Sequence, residues 1–196
     1  TKLKDQSLDT VKTGLTKREL ASLILDFCKA QNINRFSVIG YSMGTHYATT
    51  IAEELPEMIN EYIVAAPSSI KPGNIIRFFS RSKFGNKIIE KVSLSKDAMV
   101  KLLNMFRKAR FIDAEGHGIL LKEIETHELR FNLYASLTYL RFLTTDEAKL
   151  IYALNNHTIR SIFIFGRRDK SYPLSIGKTF LQQKKELFEK RLRAKI

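Results

Sequence analysis

The strongest structural signal in the sequence is the pentapeptide Gly40-Tyr41-Ser42-Met43-Gly44. It follows an apolar run at 36–39 and opens a helix-like stretch at 45–52. A serine on a sharp strand-to-helix turn lies close to other backbone atoms, so the residues two before and two after it must be small; Gly40 and Gly44 meet that demand. Such a turn lifts the Ser42 hydroxyl out of the sheet and points the Met43 backbone N–H toward a developing oxyanion. The pentapeptide therefore predicts a nucleophilic serine with half of an oxyanion hole.

The composition is that of one domain, or of one domain with a subdomain. The chain has 196 residues, of which 44% are hydrophobic, and this is enough for a substantial core. No apolar run approaches the about 20 residues that span a bilayer, and the start does not resemble a signal peptide, so we expect a cytoplasmic protein. The single Cys28 lies on the apolar face of a predicted helix and is expected to be a core residue.

Positive charge is concentrated in one segment. The net charge is +13, and the segment from Lys71 to Arg110 contains 11 basic residues and 2 acidic ones. Such a segment can steer anionic ligands, contact an anionic membrane surface, or simply be solvated. We find no zinc-ligand spacing, RNA-binding sheet motif or helix-turn-helix pattern, so no specific nucleic-acid partner, metal or cofactor is expected.

Before the pentapeptide, Thr16 and Glu19 form a capping box that begins a helix, and Asn32 is a plausible left-handed end to it. The expected buried stripe of this helix is Leu20, Leu23, Ile24, Phe27 and Cys28. The apolar run at 36–39 is typical of a buried parallel strand. A helix follows it and stops at Pro56, and a second apolar run occupies 62–66. Strand, helix and strand at this spacing predict a right-handed crossover and a parallel sheet.

The segment from Lys71 to about Asn156 has helical periods and no convincing strand. It predicts helices at 95–108, 127–142 and 146–154, as expected for a lid inserted between two strands. Its aromatic and cationic residues suit an acyl or aryl substrate with a negative part, and Phe79, Phe106 and Tyr41 are candidates for lining that substrate. The alternative is that the aromatic side chains of the segment form its own core.

Strand character returns at 161–165 and ends in Gly166 followed by Asp169. An acid just past the carboxyl end of a strand lies at the edge of an open α/β sheet that binds ligands. The tail from 178 to 196 is predicted to be a basic helix. Its candidate inward residues are Phe180, Leu181, Phe188 and Leu192.

In combination, these pieces resemble the α/β-hydrolase fold superfamily from Thr16 onward. The resemblance implies an α/β fold, with a partial hydrolase core of parallel strands and flanking helices and an inserted all-helical cap. The implied domains are core at 1–69, cap at 70–156 and core again at 157–196. It also implies that Ser42 is the nucleophile, that the Met43 N–H is half of the oxyanion hole, and that Asp169 is the triad acid.

The chain departs from the family pattern in its histidines. No histidine follows Asp169, and a structural role is favoured for each of the four present, with His117 as the least improbable substitute base. They are His46, His117, His127 and His157. The loop that carries the second oxyanion donor is missing as well. The resemblance therefore implies a fragment with little or no turnover, taken from a complete serine hydrolase.

The complete protein is expected to attack a carboxylic ester, thioester or amide through a Ser-His-Asp triad, with a carboxylic ester favoured. Its substrate is a small acyl compound, lipophilic or partly anionic. Two alternatives stay open. One is a non-catalytic protein on the same fold that binds a polyanion with its cationic cap, and the other is a lipase or acyltransferase on an anionic membrane surface.

Overall fold

Three parallel strands form a single sheet in the order β1-β2-β3. The computed structural model describes residues 8–71, 73–157, 159–167, 169 and 172–193. The strands are β1 (Phe36–Tyr41), β2 (Ile59–Ala65) and β3 (Arg160–Ile164). At their carboxyl ends, Tyr41 lies opposite Ala65, which lies opposite Ile164. The chain therefore leaves all three strands at the same edge of the sheet, as the predicted crossover requires.

Helices make up most of the rest of the described chain. They are α1 (Leu8–Thr13), α2 (Lys17–Ala30), α3 (Gly44–Glu54), α4 (Asn74–Arg81), α5 (Lys83–Ser93), α6 (Lys96–Lys108), α7 (Ala114–Glu123), α8 (His127–Tyr139), α9 (Glu147–Asn156) and α10 (Leu174–Arg193), with a short 3₁₀ turn at Pro56–Met58. Between β2 and β3 the described residues contain helices and no strand, so the all-helical insert is confirmed.

The chain divides into two compact units. The sheet unit comprises 15–73 and 142–196, and the helical unit comprises 1–14 and 74–141. The division places α1 with the helices of the insert and α9 with the sheet. The predicted domain boundaries at 69/70 and 156/157 remain predictions. The first residues, which have no helical period, nevertheless contribute the buried Val11 of α1 to the helical unit.

Helix α3 organises the sheet unit because it packs on β1, β2, α2 and α9. The capping box of α2 is confirmed: the Thr16 hydroxyl accepts from the Glu19 N–H, and the Glu19 carboxylate accepts from the Thr16 N–H at 2.8 Å. Cys28 is buried as expected, and Asn32 adopts the left-handed conformation with φ 55°. Local sequence signals therefore placed this helix and its end correctly.

Two burial predictions were wrong in this unit. Strand β1 is not buried on both faces, because Ile39 and Tyr41 are exposed while Val38 and Gly40 are buried. This alternation arises because α3 covers only one face of the strand. The predicted stripe of α2 is also incomplete, since Leu20 and Cys28 are buried but Leu23 and Phe27 are exposed. Helical periodicity identified the apolar residues of α2 but not which of them have a neighbour.

The helical unit has a largely apolar and aromatic core. Its buried members are Val11, Phe79, Ile89, Met99, Leu103, Ile124 and Tyr134. Serine, threonine and aspartate N-caps begin four of its helices, where Ser82, Ser95, Asp113 and Thr126 each accept a backbone N–H. Helix α8 ends at Tyr139 and not at 142, and α6 agrees with the predicted helix at 95–108.

The last described helix, α10, packs on α9 in the sheet unit. Phe180 is buried and its ring lies 5.4 Å from that of Phe163 on β3, whereas Leu181 is exposed. The side chains of the other two candidate inward residues, at 188 and 192, lie outside the described residues. No helix in the described part of the chain is long and apolar enough to cross a membrane.

Candidate active site

Ser42 occupies a strained turn between β1 and α3. Its φ is 48°, in the left-handed region that non-glycine residues rarely adopt. The Ser42 N–H donates to the Ala65 carbonyl at 2.9 Å, so the sheet pairing extends to this residue. Met43 is then the N-cap of α3, with helical φ and ψ. A strained non-glycine residue persists only where its surroundings hold it, and such residues concentrate at functional sites.

The two glycines of the pentapeptide have different roles. A Cβ at Gly40 would lie 2.8 Å from Thr45 Cα and 2.9 Å from the Gly44 carbonyl oxygen, so only glycine fits between β1 and α3 there. A Cβ at Gly44 would have no neighbouring heavy atom within 4 Å. The predicted steric demand for a small residue is therefore present at Gly40 and absent at Gly44, because the first turn of α3 leaves space around Gly44.

Two backbone donors are free beside the serine. Among the described residues, no acceptor takes a hydrogen bond from the Met43 or Gly44 N–H. Both groups belong to the first turn of α3, where the aligned peptide dipoles favour a negative charge. The Ser42 hydroxyl is likewise without a hydrogen bond to any described residue. A hydroxyl and unpaired N–H groups therefore lie together at one helix N-terminus.

The carbonyl of Ser42 is held by two side-chain hydroxyls. The Thr45 hydroxyl donates to it at 2.5 Å and the Ser68 hydroxyl at 2.9 Å, in addition to the Thr45 N–H at 3.0 Å. Thr45 is fully buried and Ser68 is 5% exposed. The Thr45 hydroxyl also accepts from the Ser69 N–H at 3.2 Å. The strained residue is therefore fastened both to α3 and to the loop after β2.

This hydroxyl network extends beneath α3. Thr49 Oγ1 lies 2.7 Å from the Tyr62 phenol and 2.9 Å from Ser69 Oγ, and all three residues are buried. The Thr145 hydroxyl donates to the Ser69 carbonyl at 2.7 Å. Burial raises the pKa of Tyr62 well above its usual range, so the phenol stays protonated as a donor. Each buried hydroxyl in this group therefore has a partner, as a buried polar network requires.

Asp169 follows β3 at the same edge of the sheet. Its N–H donates to the Gly166 carbonyl at 3.1 Å, and its Oδ1 accepts from the Tyr172 N–H at 2.9 Å, so a tight turn holds the carboxylate. Burial raises the pKa of the Tyr172 phenol, which also interacts with the Ser68 side chain and with the charge of Asp169. Tyr172 therefore links the turn that carries Asp169 to a residue that holds Ser42.

Comparison with known proteins gives a likeness of fold. No family model matches the chain, and no curated protein matches it. The structure is similar to that of MGS-M2, an alpha/beta hydrolase enzyme from a Medee basin deep-sea metagenome library, with a TM-score of 0.50 at 18% sequence identity. The chain has an α/β-hydrolase fold. The match covers 87% of this chain and 61% of the other, so the 196 residues span less than two thirds of that hydrolase's length.

Of the four described histidines, His46 and His117 form hydrogen bonds with residues other than Ser42 and Asp169. His46 Nδ1 lies 3.0 Å from the Leu143 carbonyl oxygen. His117 is buried in the helical unit, where Nε2 lies 2.8 Å from Asn104 Oδ1. It is inside α7 and not in a turn as predicted, because Asp113 caps that helix and so begins it before Glu115. His127 is the first residue of α8, and His157 is the C-cap of α9.

The three predicted substrate-lining residues occupy different environments. Tyr41 is 74% exposed at the end of β1, next to Ser42. Phe79 is buried in the core of the helical unit, and Phe106 packs between it and Phe111, with ring centroids at 5.8 and 6.1 Å. Phe79 and Phe106 therefore belong to the core of the helical unit, which is the alternative that the sequence left open.

Sequence reasoning did not identify the residues that hold the serine. Ala66 adopts φ 46° at the end of β2, and this second strained turn leads to Ser68 and Ser69. The only local signal was the occurrence of small hydroxyl residues where apolar ones are expected, at Thr45 and Thr49 on the face of α3 that packs on the sheet. Polar residues on a buried helix face need partners, and that need indicates a network.

Proposed function

We propose that this protein is a serine hydrolase with Ser42 as nucleophile and a carboxylic ester or related acyl compound as substrate. The observation that carries the proposal is the strained Ser42 turn between β1 and α3, with φ 48°. Beside it, the Met43 N–H has no acceptor among the described residues. A serine in this conformation presents its hydroxyl at the helix N-terminus, where backbone N–H groups stabilise a tetrahedral oxyanion.

Asp169 is the proposed triad acid. The carboxyl ends of β1 and β3 are in register through β2, and two strand spacings separate them by about 10 Å. An imidazole placed between the two residues would take the proton from Ser42, and the Asp169 carboxylate would orient it and stabilise its cationic form. Ser42 Oγ would then attack the acyl carbon and expel the alcohol, and water would release the acid in a second step.

The base in this proposal is an imidazole, and the rings of His46 and His117 already have other partners. The ring of His46 is engaged by Leu143, and that of His117 by Asn104 in the interior of the helical unit. Without such a base Ser42 reacts slowly, so the 196 residues alone are expected to show weak turnover. Added imidazole is expected to accelerate ester hydrolysis by the wild type, after subtraction of the rate measured with Ser42→Ala.

The direct test is labelling with a fluorophosphonate in the presence of added imidazole, followed by peptide mass spectrometry. We expect the adduct on Ser42 and its loss in Ser42→Ala. Ser37→Ala is the matched control, because Ser37 is an exposed serine on the same strand and its hydroxyl donates to the Glu61 carboxylate. Equal labelling of the wild type and Ser42→Ala would contradict the assignment of Ser42.

A second candidate function is action at an anionic membrane surface, and a specific feature of α4 and α5 favours it. Phe84 is 70% exposed and Phe78 42% exposed on these helices. The same two helices carry five exposed cationic side chains, and none of these forms an ion pair with a described acidic residue. They are Arg77, Arg81, Lys83, Lys87 and Lys91. Exposed aromatic rings between cations suit the interface of an anionic bilayer.

Co-sedimentation with vesicles tests this candidate. Binding is expected to rise with the fraction of anionic lipid and to weaken with salt, and Phe84→Ala together with Lys87→Glu is expected to reduce it. Tyr152→Ala with Lys149→Glu is the matched control, because it changes an exposed aromatic residue and an exposed cation in the sheet unit. Binding that does not depend on the fraction of anionic lipid would exclude action at an anionic membrane surface and would not affect the assignment of Ser42.

A further inference from the structure

The Ser42 carbonyl accepts more hydrogen bonds than an ordinary turn supplies. The Thr45 N–H is a normal first-turn donor, but the hydroxyls of Thr45 and Ser68 also reach the same oxygen, at 2.5 and 2.9 Å. These two hydroxyl oxygens lie 3.4 Å from each other, so the donors converge on one point from α3 and from the loop after β2. A carbonyl oxygen has two lone pairs, and three donors saturate it.

We propose that Thr45 and Ser68 form a hydroxyl clamp that positions the nucleophile, and this inference rests on the proposed function of Ser42. They are positioning residues, since both bind the backbone of Ser42 and not its reacting hydroxyl. With its carbonyl pulled toward the interior, the peptide unit between Ser42 and Met43 is fixed in orientation. Because the carbonyl and the N–H of a trans peptide unit point in opposite directions, that orientation directs the Met43 N–H away from the two hydroxyls.

The clamp offsets the conformational strain of the turn. A non-glycine residue at positive φ is unfavourable by itself and relaxes unless its neighbours hold it. Among the described residues, the remaining hydrogen bonds of Ser42 are the strand bond from its N–H to Ala65 and the bond from the Thr45 N–H, which an ordinary helix start also provides. The two side-chain hydroxyls are therefore the contacts specific to this sequence, and both are buried where a lost bond is not replaced by water.

The clamp also connects Ser42 to the turn that carries Asp169. Ser68 interacts with the Tyr172 phenol, and the Tyr172 N–H binds Asp169 Oδ1. The Thr45 hydroxyl accepts a hydrogen bond from the Ser69 N–H, which connects the clamp to the buried hydroxyl network beneath α3. The loop at 66–69 consequently serves as the support of the site, although none of its side chains is proposed to touch substrate.

Backbone NMR of the isotope-labelled protein tests the clamp without any assumption about catalysis. The three-bond HN–Hα coupling and the carbon chemical shifts of Ser42 report its φ. We expect Thr45→Val and Ser68→Ala to shift both away from wild-type values, and Thr45→Ser, which keeps the hydroxyl, to restore them. Thr49→Val is the matched control, because it removes a buried hydroxyl of α3 that does not contact Ser42. Wild-type values in both clamp variants would overturn the proposal.

The rate of fluorophosphonate labelling gives the functional readout. Thr45→Val and Ser68→Ala are each expected to label about tenfold more slowly, as misplacement of a reacting group predicts, while Thr45→Ser and Thr49→Val label at the wild-type rate. Unchanged rates in both clamp variants would count against positioning. If Ser42→Ala labels like the wild type, the proposed nucleophile is wrong, while the NMR result still decides whether the clamp holds φ.

Discussion

The sheet unit and the helical unit bury different kinds of polar side chain. The sheet unit encloses a group of hydroxyls and one carboxylate, whereas the helical unit encloses the Arg130 guanidinium and the His117 ring among its buried polar groups. The buried polar residues of the sheet unit include Thr45, Thr49, Glu53, Ser68 and Ser69. A hydrogen-bonded polar network specifies one geometry more strictly than apolar packing does. The comparison teaches that the unit with the strained serine is also the one with the means to hold it.

The largest expected effect concerns the tight approach of β1 and α3. Gly40→Ala is expected to lower the free energy of unfolding by about 3 kcal/mol, because its Cβ would meet backbone atoms that cannot rotate away. Gly44→Ala is the matched control and is expected to be neutral or stabilising by up to about 1 kcal/mol. Urea unfolding followed by circular dichroism measures both. Equal effects at the two glycines would show that the strand and helix are not in close contact.

A comparable loss is expected in the helical unit at its buried cation. The Arg130 guanidinium donates to the Ser93 and Ile124 carbonyls at 3.2 and 2.9 Å, and also to that of Glu125. Arg130→Met should cost about 3 kcal/mol, since it leaves buried carbonyls unpaired. Arg130→Lys keeps the charge and should cost less. Amide hydrogen exchange is expected to rise in the helical unit and to stay unchanged around Ser42; a rise around Ser42 would contradict the division into two units.

The buried carboxylate of the sheet unit predicts a dependence on pH. Glu53 pairs with Lys17 and accepts from the Asp146 N–H, but burial outweighs these contacts and raises the pKa of the Glu53 carboxyl. The folded state therefore binds this proton more tightly than the unfolded state. Its contribution to stability is complete below about pH 4.5 and is lost as pH rises through the folded pKa, at about 1.4 kcal/mol per pH unit at most.

Glu53→Gln removes the titrating group and is expected to flatten that part of the stability profile. Urea midpoints measured from pH 4 to 8 provide the test. Glu54→Gln is the control, because it alters only the more exposed ion pair with Lys149 and leaves Glu53 in place. A Glu53→Gln profile with the wild-type slope would assign the pH dependence to other groups.

The smallest expected effect tests the incomplete stripe of α2. Leu23 is 62% exposed, so Leu23→Ser should change stability by less than about 0.5 kcal/mol. Leu20, three residues earlier, is 6% exposed, and Leu20→Ala should cost about 2 to 4 kcal/mol. A large loss at Leu23 would show that this face of α2 is covered in solution.

Much of the fold was predictable because its signals are local. The capping box at Thr16, the left-handed Asn32 and the apolar strand before Gly40 each depend on residues only a few positions apart. Burial was predicted less well, since periodicity does not say whether another element packs against Leu23 or against the face of β1 that carries Ile39 and Tyr41. The placement of Phe79 and Phe106 likewise depended on contacts between helices distant in the chain.

By itself, the sequence determined where a strand meets a helix at a serine, and that Gly40 has to be small. It also placed Asp169 after a strand of the same sheet. The folded chain shows in addition that Ser42 is strained, that Thr45 and Ser68 hold its carbonyl, and that there is space around Gly44. The two kinds of feature differ in the separation of their residues along the chain. A capping or strand signal depends on neighbouring residues, whereas the hydrogen bond from Ser68 to Ser42 joins groups 26 positions apart that meet only when the chain folds.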